Sequence, residues 1–124
     1  MKNRPLSRKH LGKLAEDIAV KYVRRDGLKI IDRNFTCRFG EIDVIAVDLD
    51  EIVFIEVRSL RGSFFTDPAG SINFLKIKKL RKSAFVWYSL SKIVETNFRF
   101  DVIAIVFSKT DGKVERIEHI RDAF

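Results

Sequence analysis

Carboxylates occupy matching positions in two strand-like runs of this 124-residue chain. Residues 40–58 form two apolar, β-branched runs on either side of a short acidic turn, a pattern that predicts a β-hairpin. Reflection about that turn places Asp43 opposite Glu56, and Glu41 opposite Arg58. Two carboxylates that face each other destabilise a sheet unless a cation lies between them. The pattern therefore indicates an oxygen-bound divalent cation, with Arg58 beside it to meet a phosphate.

Alternation of side chains along the hairpin predicts a single face that carries these acids. That face is expected to hold Glu41, Asp43, Ile45 and Val47 of the first strand, and Ile52, Phe54, Glu56 and Arg58 of the second. Mg²⁺ binds one or two carboxylates together with carbonyl and water oxygens, so the Val57 carbonyl is a candidate third ligand. Two alternatives stay open. Glu41 and Arg58 can form a plain ion pair at an exposed strand end, or a register slip of one residue can separate Asp43 from Glu56.

The composition is that of one globular domain with a basic surface. Hydrophobic residues make up 46% and charged residues 33% of the chain, and a length of 124 residues suffices for one core. Lys and Arg outnumber Asp and Glu by 24 to 17, and the net charge of +7 favours a polyanion such as nucleic acid as the partner. Solubility alone is the other explanation of that charge.

Cysteine and histidine are too scarce for several kinds of site. One cysteine and two histidines exclude an internal disulfide and a Cys/His zinc site, so any metal is expected to be bound by oxygen. The basic N-terminal segment is not followed by an apolar signal region, and no run approaches the length of a membrane span. The protein is therefore expected to be cytoplasmic, without a membrane partner.

Two helices are predicted from apolar periodicity. The first is expected from Ser7, its N-cap, to about residue 26, after a basic and mobile arm at 1–7, with Gly27 as its C-terminal stop. Its buried stripe is predicted to consist of Leu11, Leu14, Ala15, Ile18, Ala19 and Tyr22. Glu16 borders this stripe, either as a solvated residue or leaning over the sheet towards the other acids. The second helix is expected from about residue 71 to residue 90, with Ile77, Leu80, Ala84 and Trp87 buried.

Strands are predicted at 28–35, in the hairpin, at 99–107 and at about 113–119, while 59–70 is predicted as a loop that carries Phe64 and Phe65. The order is therefore α-β-β-β-α-β-β, a mixed β-sheet flanked by helices. Asp101 opens its strand and is either another site acid or a partner of Arg99.

Cations are concentrated in the second helix, where five of the seven residues from 76 to 82 are Lys or Arg. Such a run is either a solvated helix face or a surface for phosphates, and the net charge favours the second. The candidate residues for nucleic-acid binding are Arg38, Arg61, Lys76, Lys78, Lys79, Arg81 and Lys82.

Several motifs together resemble the uncharacterised bacterial UPF0102 (YraN) family. They are Gly12-Lys13-Leu14-Ala15-Glu16-Asp17, Asn34, Gly40-Glu41-Ile42-Asp43, Phe54-Ile55-Glu56-Val57-Arg58, Arg99-Phe100-Asp101-Val102 and Ala123-Phe124. The resemblance spans nearly the whole chain. It implies a single restriction-endonuclease-like domain over 1–124, similar to the Holliday junction resolvases, in which an acid is followed by an acid-x-lysine motif.

The resemblance further implies a set of catalytic residues, Glu16, Asp43, Glu56 and Arg58. Asp43, Glu56 and the Val57 carbonyl are the implied ligands of Mg²⁺ or Mn²⁺, and the implied activity is an endonuclease that hydrolyses DNA phosphodiester bonds, including those of branched or junction DNA. Arg58 departs from the motif, because arginine keeps its proton where lysine can lose it. The alternative is a nucleic-acid-binding protein on a nuclease fold that no longer cleaves. A basic protein-interaction domain is a weaker hypothesis, and a homodimer follows by analogy alone.

Overall fold

The computed structural model describes residues 7–62, 72–93 and 96–124. Its elements are α1 (Arg8–Arg25), β1 (Lys29–Cys37), β2 (Gly40–Asp48), β3 (Glu51–Arg61), α2 (Phe74–Ser91), β4 (Asn97–Phe107) and β5 (Val114–Ile120). The predicted order of elements is confirmed. Phe64, Phe65 and all of the predicted basic arm except Ser7 lie outside the described residues. Neither α1 nor α2 is long and apolar enough to cross a membrane.

The five strands form one mixed sheet in chain order, β1-β2-β3-β4-β5. β3 and β4 run parallel and are joined by the crossover that contains α2, whereas the other neighbouring pairs are antiparallel. The hairpin register is the predicted one, with Val47 opposite Ile52 and Ile45 opposite Phe54. This architecture, a mixed β-sheet flanked by helices, is the one expected of a restriction-endonuclease-like domain.

Each face of the sheet is covered by one helix, so the core has two layers. The α1 layer is formed by residues on both sides of the contact, Leu11, Ala15, Ala19, Val20 and Val23 on the helix and Val44, Val53, Ile55, Ile103 and Ile105 on the sheet. The α2 layer is formed by Leu80, Ala84 and Trp87 together with Ile42, Ile45, Ile52, Phe54 and Phe100. β4 is buried from Phe100 to Phe107, as its continuous apolar sequence predicts.

The helix ends follow from capping residues. The Ser7 hydroxyl accepts a hydrogen bond from the His10 backbone N–H, as predicted for the start of α1. At α2 the Asn73 side chain accepts from the Lys76 N–H at 2.8 Å, so the helix begins at Phe74, three residues later than predicted. The sequence interpretation missed Asn73 as the N-cap.

Two other predictions about these elements were wrong. Leu14 is 39% exposed instead of buried, because Val20 and Val23 complete the apolar face of α1 that meets the sheet. Ser59 and Arg61, predicted in a loop, belong to β3 and pair with Ile105 and Phe107 of β4. The parallel partner strand supplies their backbone hydrogen bonds, which local sequence does not reveal.

Candidate metal site and nucleic-acid surface

β2 and β3 separate at the end of their hairpin that lies away from the turn, and the Asp43 side chain fills the gap between them. Their pairing ends at Val44 opposite Ile55. One residue further along β2, the Asp43 Oδ2 atom accepts a hydrogen bond of 2.8 Å from the Val57 backbone N–H. The carboxylate thus takes the place of a backbone acceptor. Since the N–H and C=O of one strand residue point to the same edge, the Val57 carbonyl also faces this gap.

A cluster of three carboxylates lies beside the gap. Glu16 of α1 and Glu41 and Asp43 of β2 each place one oxygen within 4.8 Å of the others. The Asn34 Nδ2 atom holds two of them, donating to Glu16 Oε1 at 2.6 Å and to Glu41 Oε1 at 2.9 Å. Helix and sheet therefore present a set of oxygen atoms that converge on one point.

The side chains of β2 do not alternate strictly in the half that carries Glu41 and Asp43. These two acids meet Glu16 of α1, whereas Ile42 and Ile45 both pack into the α2 layer. In the neighbouring strand β1, Asn34 has a positive φ of 53°, a left-handed conformation that Asn tolerates. The predicted common face of Glu41, Asp43, Ile45 and Val47 was therefore wrong.

Glu56 approaches the same gap from the α2 side. It is 6% exposed, and its carboxyl group lies close enough to that of Asp43 to raise the pKa of Asp43. Its Oε2 atom is buried and, among the described residues, accepts no hydrogen bond, although the Lys76 Nζ atom lies 3.5 Å away. Lys76, predicted only as a phosphate ligand, thus brings an ammonium group directly to the acids.

Arg58 shares the face of Glu56 through the regular alternation of β3. Its side chain is half-buried, and its guanidinium makes no ion pair within the described parts of the chain. Glu41 instead accepts from Asn34, so the alternative of a Glu41–Arg58 ion pair does not hold. Arg58 is therefore available to an anion that arrives at the site.

Burial and mutual repulsion raise the pKa values of two of these acids. Burial, followed by the contact with Glu56, raises the pKa of Asp43 to about 8. Burial also raises the pKa of Glu16, and the charges of Asp43 and Glu41 add to that shift while the Asn34 hydrogen bond opposes it. The cluster therefore resists full ionisation.

The structure brings together the three acids that the family resemblance implied, Glu16, Asp43 and Glu56, and adds Glu41, Asn34 and Lys76. Glu41 carried a usable signal, since it stands two residues before Asp43 in a strand. Asn34 and Lys76 reach the site from separate elements. The position of Asn34 depends on how β1 packs beside α1 and β2, and that of Lys76 on the placement of α2, which no local pattern encodes.

The predicted nucleic-acid-binding cations divide into three groups. Four of them, Arg38, Lys78, Arg81 and Lys82, line one groove of about 560 Å³ between α2 and the β1–β2 turn. Lys76 lies at the acids, and Lys79 and Arg61 line no part of this groove. The Phe39 ring lies under two cations, 4.7 Å from the Arg38 guanidinium and 5.3 Å from the Lys82 ammonium.

Asp101 belongs to a separate polar cluster. It is fully buried and accepts hydrogen bonds from Arg99 Nε at 2.9 Å and from the Asp122 N–H at 2.9 Å, with His119 Nε2 at 2.7 Å. The predicted pairing with Arg99 is therefore confirmed, and the alternative role as a site acid has no support. Burial alone would raise the pKa of Asp101, but the hydrogen bonds from His119 and Arg99 outweigh it and hold that pKa low.

Comparison with known proteins decides the family. The model of the uncharacterised protein family UPF0102 matches residues 15–105, which include all four acids of the gap. The chain belongs to this family. A UPF0102 protein of Clostridium kluyveri is 44% identical over 94% of both chains. Relatives from Rhodococcus opacus, 41% identical, and Geobacter metallireducens, 40% identical, cover 92% and 96% of this chain and 95% of their own lengths.

Among solved structures, this UPF0102 protein has a weak likeness to a repair endonuclease from Pyrococcus abyssi. The TM-score is 0.37 at 21% identity, over 90% of this chain. The match corresponds to 42% of the length of that endonuclease, so the chain spans less than half of it. A likeness of this size assigns no activity to the UPF0102 protein.

Proposed function

We propose that this UPF0102 protein is a Mg²⁺- or Mn²⁺-dependent endonuclease that hydrolyses DNA phosphodiester bonds, including those of branched DNA. One observation carries the proposal: three carboxylates converge where β2 and β3 separate, and beside Asp43 the Glu56 Oε2 atom is buried without a hydrogen-bond donor among the described residues. Unshielded, this arrangement is costly. Hard oxygen donors of this kind fit Mg²⁺ or Mn²⁺ better than softer metals.

Asp43 and Glu56 would hold the cation, with the Val57 carbonyl as the candidate third ligand and Glu16 and Glu41 close enough to hold water around it. When bound, such an ion stabilises the charge of the attacked phosphate and makes a water more acidic. The Asn34 amide fixes Glu16 and Glu41 beforehand, so little reorganisation is required when substrate arrives.

The remaining steps fall to side chains of this chain. The Glu16 carboxylate accepts the proton of the attacking water, since its raised pKa makes it a stronger base than an ordinary glutamate. The water oxygen forms a bond to phosphorus, the bond from phosphorus to the leaving oxygen breaks, and solvent protonates that oxygen. Arg58 binds the phosphate by two parallel hydrogen bonds. Lys76 supplies the ammonium that the arginine at position 58 does not provide.

A second candidate function is nucleic-acid binding without cleavage. One observation favours it: Arg58 stands at the position where the acid-x-lysine motif of the similar nucleases has lysine. In that case DNA binding depends steeply on salt but not on a divalent cation.

A nicking assay separates the two candidates. Labelled linear, single-stranded and four-way-junction DNA are incubated with Mg²⁺, Mn²⁺ or EDTA. Wild type is expected to cleave with either cation, and Asp43→Asn and Glu56→Gln to lower the rate at least ~100-fold. Glu115→Gln, an exposed acid on β5, is the matched control and should cleave as wild type does. Equal cleavage by wild type and both acid variants would refute the site.

The roles of the Lys76 and Arg58 side chains are distinguished in the same assay. Lys76→Ala should lower the rate more than Arg58→Lys does, because Lys76 then carries the role of the motif lysine. If wild type binds but only Arg58→Lys cleaves, the second candidate describes the natural protein.

A further inference from the structure

Exposed aromatic rings stand among the cations on the outer surface of α2. Phe74 is 76% and Phe85 72% exposed, and Phe98, on the neighbouring end of β4, is 55% exposed. Large apolar side chains on a surface cost free energy unless a ligand or partner covers them. The interleaving of rings with Lys and Arg is what distinguishes this surface from an ordinary apolar patch.

Two cavities flank α2 and share Arg81 and Phe85. The first is the cationic groove described above, which the Phe39 ring also lines. The second, of about 320 Å³, is almost wholly apolar. Its walls are mainly aromatic rings, Phe54, Phe85, Tyr88, Phe98 and Phe100. Phe85 therefore forms part of the wall of both cavities.

The aromatic cavity has a defined geometry. The Phe54 and Phe100 rings are stacked with centroids 5.4 Å apart, and the Phe98 ring meets each of them edge-on at 6.1 Å. Offset and edge-to-face contacts of this kind hold rings in fixed orientations. A flat aromatic ligand entering this cavity would meet a wall that is already arranged.

The charge of the cationic groove favours a nucleic-acid strand over a second copy of this chain as its ligand. The cationic groove has Arg38, Lys78, Arg81 and Lys82 on its walls and no acidic residue. A second copy of this surface would bring like charges together, whereas a phosphate chain would neutralise them. Bases in a duplex are stacked on one another and cannot enter a cavity, but those of an unpaired strand can stack on protein rings.

We infer that α2 binds an unpaired nucleic-acid strand, with phosphates on the cationic groove and a base in the aromatic cavity beside Phe85. The inference rests on the proposed function and names its substrate class, DNA with a single-stranded segment next to the cleaved bond. The location fits this role. Lys76, on the same helix, reaches Glu56, and the Phe39 turn leads directly into the strand that carries Glu41 and Asp43.

The test is the binding of fluorescein-labelled oligothymidine and of a duplex of equal length, measured by anisotropy in EDTA so that no cleavage occurs. Wild type should bind the single strand more tightly. Phe85→Ala should weaken single-strand binding about tenfold, as loss of one base-stacking contact does, and leave duplex binding nearly unchanged. Leu75→Ala is the matched control, since Leu75 is 64% exposed on the same helix and lines neither cavity.

Three results would overturn the inference. The first is a Phe85→Ala variant that binds the single strand as tightly as wild type, and the second is an equal loss of affinity for single strand and duplex. The third is the conversion of a dimer into a monomer by Phe85→Ala, seen in size-exclusion chromatography with light scattering. The last would make the surface an interface between copies of the chain. The nuclease proposal fails separately. Selective single-strand binding without cleavage refutes only the nuclease proposal. Cleavage by wild type, together with unchanged single-strand affinity in Phe85→Ala, refutes only the proposed single-strand site on α2.

Discussion

The Asp43 carboxyl group is largely buried and lies close to other acids. Its hydrogen bond from the Val57 N–H favours the charged form, but burial and Glu56 outweigh it and raise the pKa to about 8. At neutral pH, and without a cation, Asp43 therefore retains its proton. If the proposed cation binds here, it favours the ionised form, so Asp43 would release its proton as the metal binds.

The raised pKa predicts how stability depends on pH. The pKa of Asp43 is 3.8 in the unfolded reference and about 8 in the fold, so between these values the native state holds a proton that the unfolded state releases. The stabilisation from this proton is present below the lower pKa and is lost as the pH rises through about 8. In EDTA, the Tm of wild type should therefore fall relative to that of Asp43→Asn as the pH increases from about 6 to about 9.

Addition of Mn²⁺ at the upper end of that range supplies the control. The cation should raise the Tm of wild type and leave Asp43→Asn nearly unchanged, both followed by thermal unfolding under circular dichroism. A parallel pH profile for the two proteins would show that Asp43 is already ionised in the fold, and no effect of Mn²⁺ on wild type would remove the cation from the site.

At the scale of elements, the buried Asp101 ties β4 to β5 and to the segment that follows. Its carboxylate accepts from Arg99, and through Arg99 it is connected to Asp48 and Glu51 on the β2–β3 hairpin. Removing one partner from a buried network leaves the others uncompensated, which costs more than the network itself contributes.

Asp101→Asn should consequently lower the free energy of unfolding by about 3 kcal/mol, measured by urea titration. Asp50→Asn, an exposed acid in the β2–β3 turn, is the matched control and should change it by less than about 0.5 kcal/mol. Since hydrogen bonds hold the pKa of Asp101 low, its contribution is present at neutral pH and lost as the pH falls through that low value. The difference between the two variants should shrink in acid; a constant difference would contradict the ionised state.

The sequence predicted the elements where local chemistry decides them. Ser7 and Gly27 bound α1, and the acidic turn between β2 and β3 sets the register that brings Asp43 near Glu56. Other features depend on distant residues. Asn34 joins Glu16 to Glu41 across two elements, and the break in alternation that places both Ile42 and Ile45 in the α2 layer has no signal in the local sequence. The family resemblance, and not periodicity, supplied Glu16.

At the scale of the whole molecule, the chain carries a net charge of +7, and ion pairs with acids are distributed unevenly among its cations. Near the β2–β3 turn, Arg99 and Arg121 are paired with Asp48 and other acids. On α2, by contrast, Lys78, Lys79, Arg81 and Lys82 are exposed, and none of them has an ion pair within the described parts of the chain. Within the described parts of the chain, α2 therefore carries a group of unpaired cations next to the acids at the gap, so a polyanion attracted there arrives beside the candidate catalytic groups.

This distribution predicts which lysines release counterions when DNA binds. Each lysine in contact with a phosphate adds about one unit to the slope of log K against log salt. Lys78→Gln with Lys82→Gln should therefore reduce that slope by about two units in EDTA. Lys21→Gln with Lys29→Gln removes the same formal charge from exposed positions away from α2 and should leave the slope nearly unchanged. Equal reductions in the two double variants would mean that DNA responds to net charge alone, and the concentration of cations on α2 would then have no part in positioning it.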